Sequence, residues 1–219
     1  MKLIDDLIAD HALIEQVVGA LQTYVAAHLA GTAEPADAPR FFAFFRGFVG
    51  GFHHHVEEVV LFPALTGPLA LPADRGPVQA IGAQHHALAG TLDALESLLV
   101  AAAPPTSDGR AAIATLTRRY CHGLWSHIDA EDSVLFPESA ARLERAGLAG
   151  LAARAATPDE EAARRDGERL VARYPPVFDP SAMRGEGCPA CPSYGTDCDG
   201  LERAWWTESE WEVLAAHTE

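Results

Sequence analysis

Apolar residues recur at three- and four-residue intervals through the first two thirds of the chain, in stretches too long for strands. Leu3, Leu7, Ile8, Leu13, Ile14, Val17, Val18 and Leu21 draw one stripe along residues 2–30, which predicts a first helix ending near Gly31. A second runs from about Pro39 to Leu65. Its Phe41, Phe42, Phe44, Phe45, Phe48 and Phe52 read as core, since phenylalanines at this density serve packing. The Thr-Gly-Pro-Leu-Ala-Leu-Pro run at 66–72 is a connector. A third helix covers roughly 74–103 and stops before Pro104-Pro105. A fourth begins with Ser107 or Asp108 as N-cap and continues to the 142–147 region. The two Leu-Phe-Pro triplets, at 61–63 and 135–137, are expected to bend or end their helices, because proline lacks the backbone donor and crowds the preceding turn.

Four long amphipathic helices with short links predict an all-α chain, an up-down-up-down four-helix bundle over 1–148. Residues 149–219 form an appendage. Thr157-Pro158-Asp159-Glu160 is a capping box with proline at the first helical position, so a fifth helix should run to about Tyr174. A loop-rich, Cys-containing tail follows, with a second capping box at Thr207-Glu208-Ser209-Glu210 opening a short last helix. Trp205, Trp206 and Trp211 are expected to pin this tail on the bundle.

Composition narrows the function classes. With 31 acidic against 16 basic residues and a formal charge of −15, the surface repels phosphate backbones and anionic lipid, arguing against nucleic acid and membrane as partners. The acidic start Met-Lys-Leu-Ile-Asp-Asp is unlike a signal peptide, and no apolar run is long enough to span a bilayer, so the expected location is cytoplasmic.

The candidate chemistry lies in a repeat. Phe-His-His-His-Val-Glu-Glu-Val-Val-Leu-Phe-Pro at 52–63 and Ser-His-Ile-Asp-Ala-Glu-Asp-Ser-Val-Leu-Phe-Pro at 126–137 stand 74 residues apart. Asp-His-Ala-Leu-Ile at 10–14 and Gln-His-His-Ala-Leu at 84–88 share that offset. One register therefore pairs His11 with His85, His53 with His127 and Glu57 with Glu131. A His and a Glu four apart stand on one helix face and can address one point. Imidazole suits iron, zinc or copper, and a carboxylate can bridge two cations. Four His and two Glu from four helices are the ligand set of a two-metal centre.

The same register sets the neighbours aside. His54 maps to Ile128, His55 to Asp129 and His86 to Ala12, so these three histidines read as supporting or surface residues. Glu15 maps to Ala89, and His28 and His122 fall off the face. Glu58 and Asp132 are matched acids that support the ligands or polarise the bundle end, and Asp132 could replace Glu131. Gly50 and Gly123, about one turn from the ligand histidines, leave space beside the metals or let helices approach closely. Tyr120, seven before His127, is a candidate catalytic proton donor facing the same cavity, or core.

With its repeated halves and Leu-Phe-Pro endings, residues 1–145 resemble the hemerythrin-like (HHE cation-binding) family. The resemblance implies a four-helix bundle around a non-heme di-iron centre with His11, His53, Glu57, His85, His127 and Glu131 as ligands. Oxygen-carrying members have an extra His one turn away on the third helix, whereas Ile81 and Ala89 stand there in this chain. That departure moves the expectation from oxygen storage toward O2 activation or sensing. The expected function is binding or activating O2, or reactive oxygen and nitrogen species, in redox sensing, scavenging or repair. A di-iron oxidase or oxygenase acting on a small-molecule metabolite with the tail as lid, and a metal-stabilised interaction module, are the alternatives. Outside the resemblance, Cys188, Cys191 and Cys198 could form a redox pair or hold zinc with Asp197, Asp199, His217 or Cys121 as fourth ligand.

Overall fold

The computed structural model describes residues 1–74, 76–101 and 105–178, and all regular structure among them is helical. We label five rods. α1 is Lys2–Ala30, α2 spans 38–66, α3 is Gly76–Leu99, α4 spans 107–145 and α5 is Pro158–Arg173. α1 closes on Gly31, whose left-handed φ of 75° lets its N–H turn back to the carbonyl of His28. α3 is shorter than the 74–103 expectation. α4 is capped by Thr106, whose hydroxyl accepts from the Gly109 N–H, and not by Ser107 or Asp108. Thr106 has extended backbone geometry, which presents its hydroxyl to the orphan N–H groups of the first turn. The capping box at Thr157 and Glu160 opens α5.

α2 and α4 are not uniform. α2 is α-helical over Ala38–Ala43, π-helical over Phe44–His54, and π-helical again over Glu57–Leu61 before its last α turn, Phe62–Thr66. α4 has one π turn, Glu131–Leu135, and then continues as Phe136–Arg145. Of the two outcomes expected at Leu-Phe-Pro, a bend or an end, the end does not occur. The N–H of Phe62 reaches back five residues to Glu57, and that of Phe136 to Glu131. Each proline then falls in the first turn of the next α segment, where its missing donor is tolerated.

Two apolar layers enclose one polar layer. The larger holds Ile14, Val17, Phe41, Phe44, Phe48, Leu88, Leu92, Leu124 and Trp125, and the smaller holds Leu3, Leu7, Val56, Leu61, Ile81, Leu135 and Phe136. α1 and α3 meet the smaller layer first, whereas α2 and α4 meet the larger layer first. In every one of these rods the switch falls at the repeated His or His-x-x-x-Glu. α5 lies on the larger layer against α1 and the π-helical part of α2. It sits close because Gly167 lacks a side chain, since a Cβ there would fall 2.5 Å from Phe44 Cδ2.

Candidate metal centre

The polar layer buries four imidazoles and two carboxylates that few folds bury without a reason. His11, His53, His127, Glu57 and Glu131 are at most 1 % exposed, and His85 is 5 % exposed. Their inner atoms converge. His11 Nε2 lies 2.9 Å from His53 Nε2. Glu57 spans two helices, with Oε1 3.4 Å from His53 Nε2 and Oε2 3.3 Å from His85 Nε2. Glu131 does the same, its Oε2 lying 3.3 Å from both His11 Nε2 and His127 Nε2. The duplicated register is thus a pseudo-twofold axis, with each Glu joining the His of its own turn to the lone His of the other half.

Two overlapping groups could each hold a cation. One is His11, His53, Glu57 and Glu131, and the other is His54, Glu57, His85 and His127, with ligand atoms in each within 4.8 Å of one another. Glu57 belongs to both. His54 was set aside by the register, and the structure brings it into the second group. It is buried, and its ring stacks on His85 with centroids 3.9 Å apart. The physical reason lies in α2. Adjacent residues on a regular α-helix point about 100° apart, but the π-helical stretch that ends at His54 changes the angular step, and α4 has no counterpart before His127. A repeat register carries side-chain directions from α4 to α2 only where the two rods share helical geometry.

Outer partners orient the rings. His11 Nδ1 donates to Asp132 at 2.8 Å, and His85 Nδ1 donates to Glu58 at 2.8 Å. His127 Nδ1 donates to Gln84 Oε1 at 2.9 Å, and Asp10 stands 3.6 Å from His53 Nδ1. These follow the 74-residue offset, Asp10 with Gln84 and Glu58 with Asp132. So do Phe62, stacked on His85, and Phe136, stacked on His11. Gln84 as a hydrogen-bond partner and Asp10 as a neighbouring carboxylate were missed, although each immediately precedes a lone His in the repeat. Such contacts fix the tautomer, leaving Nε2 free to face inward.

The other expected residues fall elsewhere. Tyr120 is buried against Phe45 with ring centroids 5.0 Å apart, in the larger apolar layer, and burial pushes its hydroxyl well above its ordinary value. The structure does not bring it to the imidazoles. Gly123 serves close approach, since a Cβ there would lie 3.1 Å from Leu88. His55 and His86 are exposed, and His86 donates to Gly82 O. The Cys121 thiol is buried beside Val18 O. Cys188, Cys191, Cys198, the tail tryptophans and the last helix lie outside the described residues.

Electrostatics marks the cluster as incomplete by itself. Burial, reinforced by the surrounding imidazoles, pushes His53, His54 and His127 well below their ordinary value. Burial also opposes a charged His11, but Asp132 and Glu131 prevail and raise it to about 10. His85 rises to about 9 against burial, through Glu57 and Glu58. Burial and the neighbouring Glu57 raise Glu131 to about 8. Both oxygens of Glu57 and of Glu131, with His53 Nδ1, His85 Nε2 and His127 Nε2, are buried without a hydrogen-bond partner. Leaving such groups unsatisfied costs about 1–3 kcal/mol each, and cations between them would satisfy the inward-facing ones. The spacing fits, because atoms about 2.1 Å from one ion at tetrahedral or octahedral angles lie about 3.0–3.4 Å apart.

A family model described as the hemerythrin HHE cation binding domain matches residues 2–139. Comparisons with curated proteins and with solved structures return no match.

Proposed function

The chain belongs to the hemerythrin HHE cation-binding domain family, and on that premise we propose that it is a non-heme di-iron protein that binds or activates O2 or reactive oxygen and nitrogen species. The observation that carries this reading is the set of buried, partnerless carboxylate oxygens and imidazole nitrogens drawn from α2, α3 and α4 to one centre, beside His11 of α1. His11, His53, Glu57 and Glu131 would hold one iron, and His54, His85, His127 and Glu57 the other. The alternating order of the apolar layers along α1 to α4 supports an up-down-up-down course, which delivers a ligand from every rod at one level. An iron pair supplies two electrons for reaction with O2 or a related oxidant.

The protein's own part is positioning and exclusion of water. The Asp132, Glu58 and Gln84 side chains hold three rings with Nε2 inward. Phe62 and Phe136 cover two of those rings. The apolar layers on either side keep the centre dry, so charge changes there are felt strongly.

A second reading, an oxidase or oxygenase of a small molecule, is favoured by one feature. A cleft of about 510 Å³ lined by Leu3, Leu7, Asp10, Phe52, Val56 and Ala153 reaches the Asp10 carboxylate, 3.6 Å from His53 Nδ1. The two readings separate when the reduced, iron-loaded protein meets air. An absorption band that persists and reverses on deoxygenation supports a binding or sensing role. Rapid O2 consumption accelerated by a small organic molecule supports the enzyme. A protein whose spectrum ignores O2 refutes both.

A further inference from the structure

We infer that Arg154, which lies outside the family-matched residues, is a positioning residue that holds the π-helical turn of α2 and so seats His54 in the second ligand group. The inference rests on the two-ion reading above and extends it to the segment between α4 and α5. Gly51 and Phe52 immediately precede the His53-His54 pair in the π-helical stretch. Arg154 Nη2 donates to Gly51 O at 3.0 Å, and its guanidinium lies 5.3 Å over the Phe52 ring. The same guanidinium is gripped by both Glu160 oxygens, at 2.6 and 2.7 Å.

Glu160 is itself fixed, because it accepts from the Thr157 N–H at 2.7 Å as half of the α5 capping box. A rigid connection thus runs from the start of α5 through Glu160 and Arg154 to the backbone two residues before His53. Long π-helical stretches are rare, most π geometry being confined to single turns. α5 packs along the stretch, with Ala163 facing Gly47 and Glu160 facing Gly51, where a Cβ would lie 3.3 and 4.0 Å away. If the turn relaxed to regular α geometry, two consecutive imidazoles could not both face the centre. His54, the residue without a repeat counterpart, would be the one to leave.

The test uses the full chain, stripped of metal and titrated with Co(II) as probe, in Arg154→Ala, Arg154→Lys and Tyr174→Phe. Tyr174 docks α5 through Asp37 and touches neither Arg154 nor the centre, so its variant reports general loosening of α5. The expected result is two ions in the unaltered chain, with one of the two bound about 10–100-fold more weakly in Arg154→Ala. Lysine cannot reproduce the forked contact to Glu160 and Gly51, so Arg154→Lys should restore little. Tyr174→Phe should keep both ions at unaltered affinity. Unchanged affinities in both Arg154 variants would overturn the inference, and so would equal weakening in Tyr174→Phe. If the unaltered chain fails to take two ions, it is the two-ion reading that has failed.

Discussion

His54→Ala separates the three-dimensional site from the repeat. The 74-residue register pairs His54 with Ile128, so the repeat alone predicts no loss of metal. The folded chain makes it one of four residues in the second group that could hold a cation, buried and stacked 3.9 Å from His85. A four-ligand zinc site is worth about 10–16 kcal/mol, so one ligand carries about 2.5–4 kcal/mol. At 1.4 kcal/mol per decade this is a loss of about 60–700-fold for one ion. The first group, His11, His53, Glu57 and Glu131, loses no ligand and should hold its ion as before. The assay is a competitive zinc titration against a chromophoric chelator, with His55→Ala as control because His55 is exposed. The expected curve has one tight step and one weakened step for His54→Ala and two tight steps for His55→Ala. Two tight steps in both would refute the reasoning and restore the register.

Further outcomes follow from the same geometry. Gln84→Glu should strengthen the second ion, and Asp10→Asn should weaken the first, by about 10-fold or more each, read in the same titration. In metal-free protein, His85 and His11 are raised above 6.5 to about 9 and 10, and Glu131 is raised from 4.5 to about 8. Each of these groups binds its proton more tightly when folded, so its contribution is lost as pH rises. The thermal midpoint of chelator-treated protein should therefore fall between pH 6.5 and 10. Lowered His53, His54 and His127 act only below that window. Metal-loaded protein should be nearly flat over the same range, and parallel curves would show that the ions do not bind these groups. Gly167→Val places carbon against Phe44 and should destabilise the chain by about 1–3 kcal/mol in denaturant unfolding.

Much of this architecture was written in local pattern. The stripe of α1, the Phe-rich face of α2 and the Thr157 capping box each depend on neighbours within a turn or two, and each emerges where periodicity places it. The six-residue set His11, His53, Glu57, His85, His127 and Glu131 comes together because repeated halves fold alike to first order. What pattern did not carry is where the halves differ. The π-helical stretch at 44–54 packs against α5 and accepts a bond from Arg154, both more than a hundred residues away, and no helical wheel drawn on α2 alone would turn His54 inward. Likewise the persistence of α4 past Pro137 depends on the π turn at Glu131–Leu135, which absorbs the proline. Asp10 and Gln84 were legible, since they share the offset and stand next to the lone histidines.

The proposed function requires two redox-active ions in one buried His and Glu layer. Elemental analysis of freshly purified, unstripped protein together with its optical spectrum tests it most directly. The expected result is about two irons per chain with an absorption band that responds to O2. Zinc at both positions with a spectrum indifferent to O2, or a single ion per chain, would contradict it.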